Sequence, residues 1–249
     1  MKKPYLPALV ALLALAAPAA QAGCHAALKA RLPQSGTVIF GELHGTKEIP
    51  AYFAACVREF ADRGENVRVF LEFDASDTEH TARYLRGEID EAALLSSRRW
   101  SGQDGRSSIA MLGLHRALKG MDVVGFVPGQ GTVGGNAGMG EIFLHQRLAS
   151  GYNLVLVGDS HARLTHGKDD GYVPFGEYVQ ARAKNVVSLR ARYSGGTAWV
   201  CMPYCEASPM PRNVSALPLR QISFASKDKA FTGYFGVGAI SASPPVVQK

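Results

Sequence analysis

Gly36-Thr37-Val38-Ile39-Phe40-Gly41-Glu42-Leu43-His44-Gly45 is a short apolar run closed by a glycine, an acid and a histidine. Asn153-Leu154-Val155-Leu156-Val157-Gly158-Asp159-Ser160-His161-Ala162 repeats that spelling later in the chain. Unbroken apolar runs of this length, rich in β-branched residues, describe strands covered on both faces. In each, glycine lets the chain leave the strand sharply, so that a histidine three residues on points back over the sheet.

Working outward from these two runs, the intervening sequence alternates. Residues 48–60 carry a helical stripe of Tyr52, Phe53, Cys56, Val57 and Phe60, stopped by Gly64. Residues 66–73 read as a strand, 78–86 and 90–98 as helices, and 107–119 as a helix capped by Ser107 or Ser108. Residues 121–127 form a third strand, followed by a glycine-rich loop over 129–140, a helix over 141–148 and a strand over 153–157. Beyond the second histidine run, 175–183 reads as a helix, and 185–192, 197–202 and 231–240 as strands. Strand–helix alternation followed by a strand-rich tail predicts an α/β fold: a mostly parallel central sheet flanked by helices, with extra C-terminal strands and antiparallel pairing at an edge. No linker or internal repeat divides residues 23–249, so they are expected to form a single domain.

The first 22 residues have a different character. Lys2 and Lys3, an apolar stretch over 6–20 and Ala20-Gln21-Ala22 follow the order of a secretory signal, which predicts a secreted, periplasmic protein. Cys24 would be a lipid-anchor site, but Gln21 stands where the lipid-attachment signal takes an aliphatic residue. The four cysteines fit an oxidising compartment. A turn at Pro203 brings Cys201 and Cys205 within disulfide range, which leaves Cys24 and Cys56 to pair. No later apolar run is long enough to cross a bilayer. The net charge of +6 is spread as singles and pairs, with no cluster that would mark a nucleic-acid surface.

In an open α/β sheet, ligands bind beyond the carboxyl ends of the strands. Three predicted strands end in chemistry: Glu42 and His44, Glu72 and Asp74, Asp159 and His161. His44, His161 and Glu72 form a set that would hold a divalent metal with an open position for water. The same set also suits a metal-free hydrolytic pair, with His44 as base and an acid fixing its tautomer. Arg163, two residues after His161, is a candidate clamp for a substrate carboxylate or oxyanion, set against a role as a surface arginine paired with Asp159. Arg106 reads as a surface arginine paired with Asp104.

These motifs carry a resemblance. Gly-x-x-His at the first strand end, Glu at the second and Gly-x-x-His at a late strand resemble the superfamily that joins the Tiki-type metalloproteases, the ChaN-type haem-binding uptake lipoproteins and, more distantly, the erythromycin esterases. Trp100-Ser101-Gly102-Gln103-Asp104-Gly105-Arg106 and Val237-Gly238-Ala239-Ile240-Ser241-Ala242-Ser243-Pro244 are also similar to segments of bacterial exported members. The resemblance implies an α/β core with helical insertions and a strand-end site of His44, Glu72 and His161 with Glu42 beside them. Two functions follow as expectations. One is an exported hydrolase acting on an ester, lactone or amide of a small molecule or peptide, assisted by zinc, manganese or cobalt. The other is a periplasmic protein that binds haem or a small ligand without catalysis. The esterases place one more residue between Glu and His than Glu42-Leu43-His44 does. The haem-binding members ligate through tyrosine, for which Tyr84 and Tyr172 are the candidates by position.

Two further spellings resolve as decoys. Gly129-Gln130-Gly131-Thr132-Val133-Gly134 matches a dinucleotide fingerprint, but Pro128 intervenes and no acid follows at the spacing that motif needs, so it reads as a loop or lid. Ser160 lacks the second glycine of a nucleophile elbow, because Ala162 takes that place.

Overall fold

A computed structural model describes residues 23–129, 134–167, 171–213 and 217–247. The proposed signal segment and residues 130–133 of the glycine-rich loop lie outside them. The strands are β1 (Gly36–Glu42), β2 (Val67–Asp74), β3 (Asp122–Val127), β4 (Tyr152–Gly158), β5 (Val186–Cys201), β6 (Cys205–Met210), β7 (Ile222–Ser223) and β8 (Gly233–Ile240). They form one sheet in the order β3-β2-β4-β1-β5-β8-β7, with β6 paired to β5. β1, β2, β3, β4, β5 and β8 run parallel, while β6 and β7 add antiparallel edges. This is the expected α/β architecture.

Alternate side chains of the central strands feed two cores, as unbroken apolar strands require. Val38 and Phe40 face one cluster and Ile39 the other. The first face is covered by α1 (Cys24–Arg31), α2 (Glu48–Ala61), α3 (Thr78–Leu85), α4 (Glu91–Leu95) and α5 (Ile109–Ala117). The second is covered by α6 (Gly135–Gln146), α7 (Asp159–Ala162) and α8 (Phe175–Gln180). Ser108 caps α5 by accepting from the Met111 amide at 3.3 Å. None of the described helices is long and apolar enough to cross a membrane.

The elements differ from the sequence reading in several places, and α1, α7 and β7 are not anticipated in it. The strands expected over 185–192 and 197–202 are one strand, β5, whose register against β8 shifts between Tyr193 and Gly196. β6 was not foreseen, because Glu206, Ser208 and Pro209 disguise an exposed edge. α6 starts at Gly135, within the segment read as loop, because Gly135, Gly138 and Gly140 depress helix propensity. Gly140 has a packing reason: a Cβ there would stand 2.3 Å from the Tyr178 ring, so the glycine lets α6 approach α8.

Both expected disulfides form. Cys201–Cys205 closes the β5–β6 hairpin, and Cys24–Cys56 ties α1 to α2. Cys24–Cys56 spans 32 residues, and closing such a loop stabilises by about 3.7 kcal/mol through the unfolded chain. Replacing both by alanine is expected to lower the thermal midpoint of the oxidised protein clearly. An unchanged midpoint would show that α1 is held by packing of Leu28 and Leu32 alone.

Candidate functional site

The sheet order places β2, β4 and β1 side by side, so the three chemistry-bearing strand ends adjoin. Glu42 is level with Gly158 in the register. Glu72 lies one residue beyond the last paired position of β2 against β4, and its Oε2 accepts from the Gly158 amide at 2.7 Å. Gly158 is required by close approach rather than by its backbone angles. A Cβ on it would stand 2.9 Å from His44 Nε2 and 3.5 Å from both Glu72 Oε2 and His161 Cδ2.

His44 is clamped between two acids. Its Nδ1 lies 2.8 Å from Glu42 Oε1 and its Nε2 3.3 Å from Glu72 Oε2. Both carboxylates are almost completely buried. Burial would lower the His44 pKa, but the charges of Glu42 and Glu72 outweigh it and raise the pKa to about 10. Burial likewise opposes ionisation of Glu72, yet His44 above all holds its carboxyl down to about 2. The two carboxylates thus favour the protonated form of His44, where the sequence reading has it as a base.

His161 is the contrasting group. It sits on α7, with Nδ1 2.5 Å from Asn136 Oδ1 and Nε2 4.0 Å from Glu72 Oε1. The Asn136 oxygen fixes the proton on Nδ1 and leaves Nε2 as the basic nitrogen. Burial is the main influence on it. Glu72 opposes burial, but His44 and Arg106 add to its effect, and the pKa ends below the ordinary value. Two histidines from one repeated motif are thus driven in opposite directions, as an acid–base pair requires.

Arg106, read as a surface residue, belongs to the centre. Its Nη1 donates to Glu72 Oε1 at 3.2 Å while Nη2 donates to Asp104 Oδ2 at 2.6 Å. Asp104 presents it by capping the turn, accepting from the Arg106 amide at 2.9 Å. Asn136 is the other residue that sequence reasoning missed, because it lies in the glycine-rich stretch taken as loop. Together Glu72, Phe73, Asp74, Arg99, Asp104 and Arg106 line much of a cleft of about 390 Å³ over the sheet edge.

The remaining expected residues fall elsewhere. Asp159 turns to Arg190, with Oδ2 2.9 Å from Nη2, and burial raises its pKa. The charge of Arg163 also acts on Asp159, against the effect of burial. Tyr84 is 1% exposed and its hydroxyl donates to Glu91 at 3.3 Å, so burial removes it as a ligand candidate. Tyr172 is 40% exposed. His115 is buried, with Nδ1 on the Met111 carbonyl at 2.7 Å and Nε2 facing Arg99 Nη1 at 3.1 Å, a core role.

The metal set expected from sequence is not assembled as ligands. Among the described residues no group of three or more His, Cys, Asp and Glu side chains is placed to hold a metal ion. The donor chemistry gives the reason. Both Glu72 oxygens already accept, Oε1 from Arg106 and Oε2 from Gly158, while both His44 nitrogens face carboxylates. A divalent cation there would sit against a guanidinium and an imidazolium.

One junction fixes how these loops meet. Gly45, at φ +77, passes so close to Gly105 that a Cβ on Gly105 would lie 2.1 Å from the Gly45 amide nitrogen. On its other side a Cβ on Gly45 would lie 2.1 Å from the Trp199 carbonyl oxygen. The Gly45 carbonyl accepts from the amides of Trp199 at 2.9 Å and Ser243 at 2.8 Å.

No family model matches the sequence, and no curated protein matches it significantly. Solved structures do resemble it. A succinoglycan biosynthesis protein aligns at TM-score 0.67 with 10% identity, over 88% of this chain and 92% of that one. A Bacillus cereus protein aligns at TM-score 0.61 with 11% identity, over 90% and 93%. A structure described as cofacial haem binding to ChaN of Campylobacter jejuni aligns at TM-score 0.48 with 12% identity, over 68% and 84%. At these identities it is the fold that is shared: over nearly its whole described length the chain is similar to the first two of these α/β proteins.

Proposed function

We propose that the chain is an exported hydrolase that works without a resident metal, with His161 as general base. The observation that carries this reading is the opposed setting of the two histidines around Glu72. His161 Nε2 takes a proton from water as the water oxygen attacks an ester, lactone or amide carbonyl, and returns it to the leaving group. His44, held as an imidazolium by Glu42 and Glu72, and Arg106 supply fixed positive charge beside the developing oxyanion. Asn136 keeps the imidazole of His161 in the productive tautomer.

Hydrolysis of p-nitrophenyl and lactone substrates tests it. A base must be neutral, so kcat/KM is expected to rise with pH through a value below 6.5, where His161 loses its proton. It should fall again near pH 10, where His44 does. His161→Ala should remove the acidic limb and about 10²–10⁴-fold of the rate. Prolonged chelation with EDTA should leave the rate unchanged. Loss on chelation with recovery by zinc, manganese or cobalt would reverse the metal-free reading. A parent without turnover that gains a Soret band on adding haem would favour the ligand-binding alternative.

A further inference from the structure

At the amino ends of β1 and β4, the end of the sheet opposite the His44 centre, a second cleft of about 340 Å³ opens. Six residue steps of parallel strand separate the two ends, or about 20 Å. This cleft is framed by the loops after α1, α6 and α8, with Ser35, Thr37 and Asn185 on its wall and Arg147, Arg182 and Lys184 contributing charge. Its polar composition contrasts with the apolar groove between α2 and α5.

Two observations bear on its occupant. First, the positive charge is not compensated locally. Glu65 is engaged by Lys29 and His25, and Asp122 by Arg68. Among the described residues Arg147, Arg182 and Lys184 make no ion pair. Arg182 uses one donor, Nη1, on the Tyr178 carbonyl and stacks over the Tyr178 ring at 3.6 Å, which holds the guanidinium plane. Second, Arg147 Nε is buried with no hydrogen-bond partner among the described residues. A buried donor without an acceptor is costly, and an anion seated against it would supply one.

The frame is built in advance. Asn153, 2% exposed, accepts from the Leu148 amide at 2.8 Å and donates to its carbonyl at 3.2 Å, which locks the loop that carries Arg147. Asn185, in the left-handed region at φ +58, gives its carbonyl to the Thr37 amide at 2.9 Å. Three cations in one concavity focus field on a small oxyanion.

We infer that this cleft binds a phosphate group through Arg147, Arg182 and Lys184, at a site separate from the hydrolytic centre. The group is inorganic phosphate or the phosphate of an anionic lipid headgroup. Guanidinium forks match the geometry of such oxygens, and the ammonium of Lys184 adds a point charge.

Calorimetric titration of the full chain with inorganic phosphate, against sodium chloride at matched ionic strength, is the test. The parent is expected to bind one phosphate saturably. Arg147→Gln and the double variant Arg182→Gln, Lys184→Gln should each bind about tenfold or more weakly. The double variant alters exposed side chains only, so it decides the matter if Arg147→Gln fails to fold. Phosphate heats equal to those of chloride, or full affinity in the folded variants, would overturn the site. Where phosphate binds, sedimentation with phosphatidylglycerol vesicles but not phosphatidylcholine, lost in the variants, assigns the headgroup. Absence of sedimentation assigns free phosphate.

Discussion

Gly158→Ala is expected to remove hydrolysis while leaving a folded protein. Its backbone, at φ −54 and ψ 145, lies where any residue is comfortable, and alanine there even restricts the unfolded chain. The added methyl instead meets His44 Nε2 at 2.9 Å, closer than Cβ contacts run, with Glu72 Oε2 and His161 Cδ2 behind it at 3.5 Å. Only His44 can give way, and it does so by leaving Glu72. A displacement near 1 Å in such a centre costs on the order of 10²-fold in rate. Gly41→Ala is the control, since its methyl would meet Ala162 Cβ at 3.0 Å and strain the packing of α7 on β1. The first variant should lose turnover out of proportion to its loss of stability, since His44 keeps Glu42, and the second should lose stability with turnover kept in the folded protein. A Gly158→Ala protein at parental rate would show that the His44–Glu72 contact is irrelevant to the chemistry.

The second large effect is on stability. Glu72→Gln preserves shape but strips the carboxylate that serves His44, Arg106 and the Gly158 amide together. Breaking a buried charged pair on one side costs about 3 kcal/mol or more, which urea unfolding would read directly. The pH profile of the parent should carry the same signature. Burial alone would raise the Glu72 pKa, but His44 leads the groups that hold it at about 2. Its contribution is complete above the unfolded value of 4.5 and disappears as pH falls through about 2. His44, raised against the effect of burial by its two carboxylates, contributes fully below 6.5 and loses that contribution as pH climbs through about 10. These are two views of one interaction, so the parent should be most stable between about 4.5 and 6.5, and Glu72→Gln should flatten both flanks. Unchanged flanks in the variant would place the pH dependence elsewhere.

The central sheet was legible because short apolar runs rich in β-branched residues, such as Leu154–Val157, read as strands covered on both faces. The repeated Gly-acid-x-His spelling led to His44 and His161 for the right physical reason: a glycine at each strand end turns the chain back over the sheet. What it could not convey was charge. Glu42 and Asp159 hold equivalent positions in the two motifs, yet one faces His44 and the other faces Arg190. That difference depends on β5 lying beside β1, a fact of strand order no local pattern carries. Arg106 was read as a surface group because Asp104, two residues away, offered a sufficient local partner; its second bond, to Glu72, crosses 34 residues. Asn136 was hidden because glycines around it spell a loop while packing on α8 makes them a helix.

The crossing of Gly45 and Gly105 has a consequence for how such a protein can diverge. At their closest approach the exit from β1, the turn that presents Arg106 and the outer half of β5 meet through main chain, and Gly45 and Gly105 have no side chain to absorb change. Elsewhere in the fold an altered residue can be answered by a compensating one next door. At this crossing neither neighbour has anything to shorten, so drift in any of the three segments requires the other two to move as well. The segments are inherited as one piece, and a lineage that lengthens one of them must rebuild the site around Glu72 or abandon it.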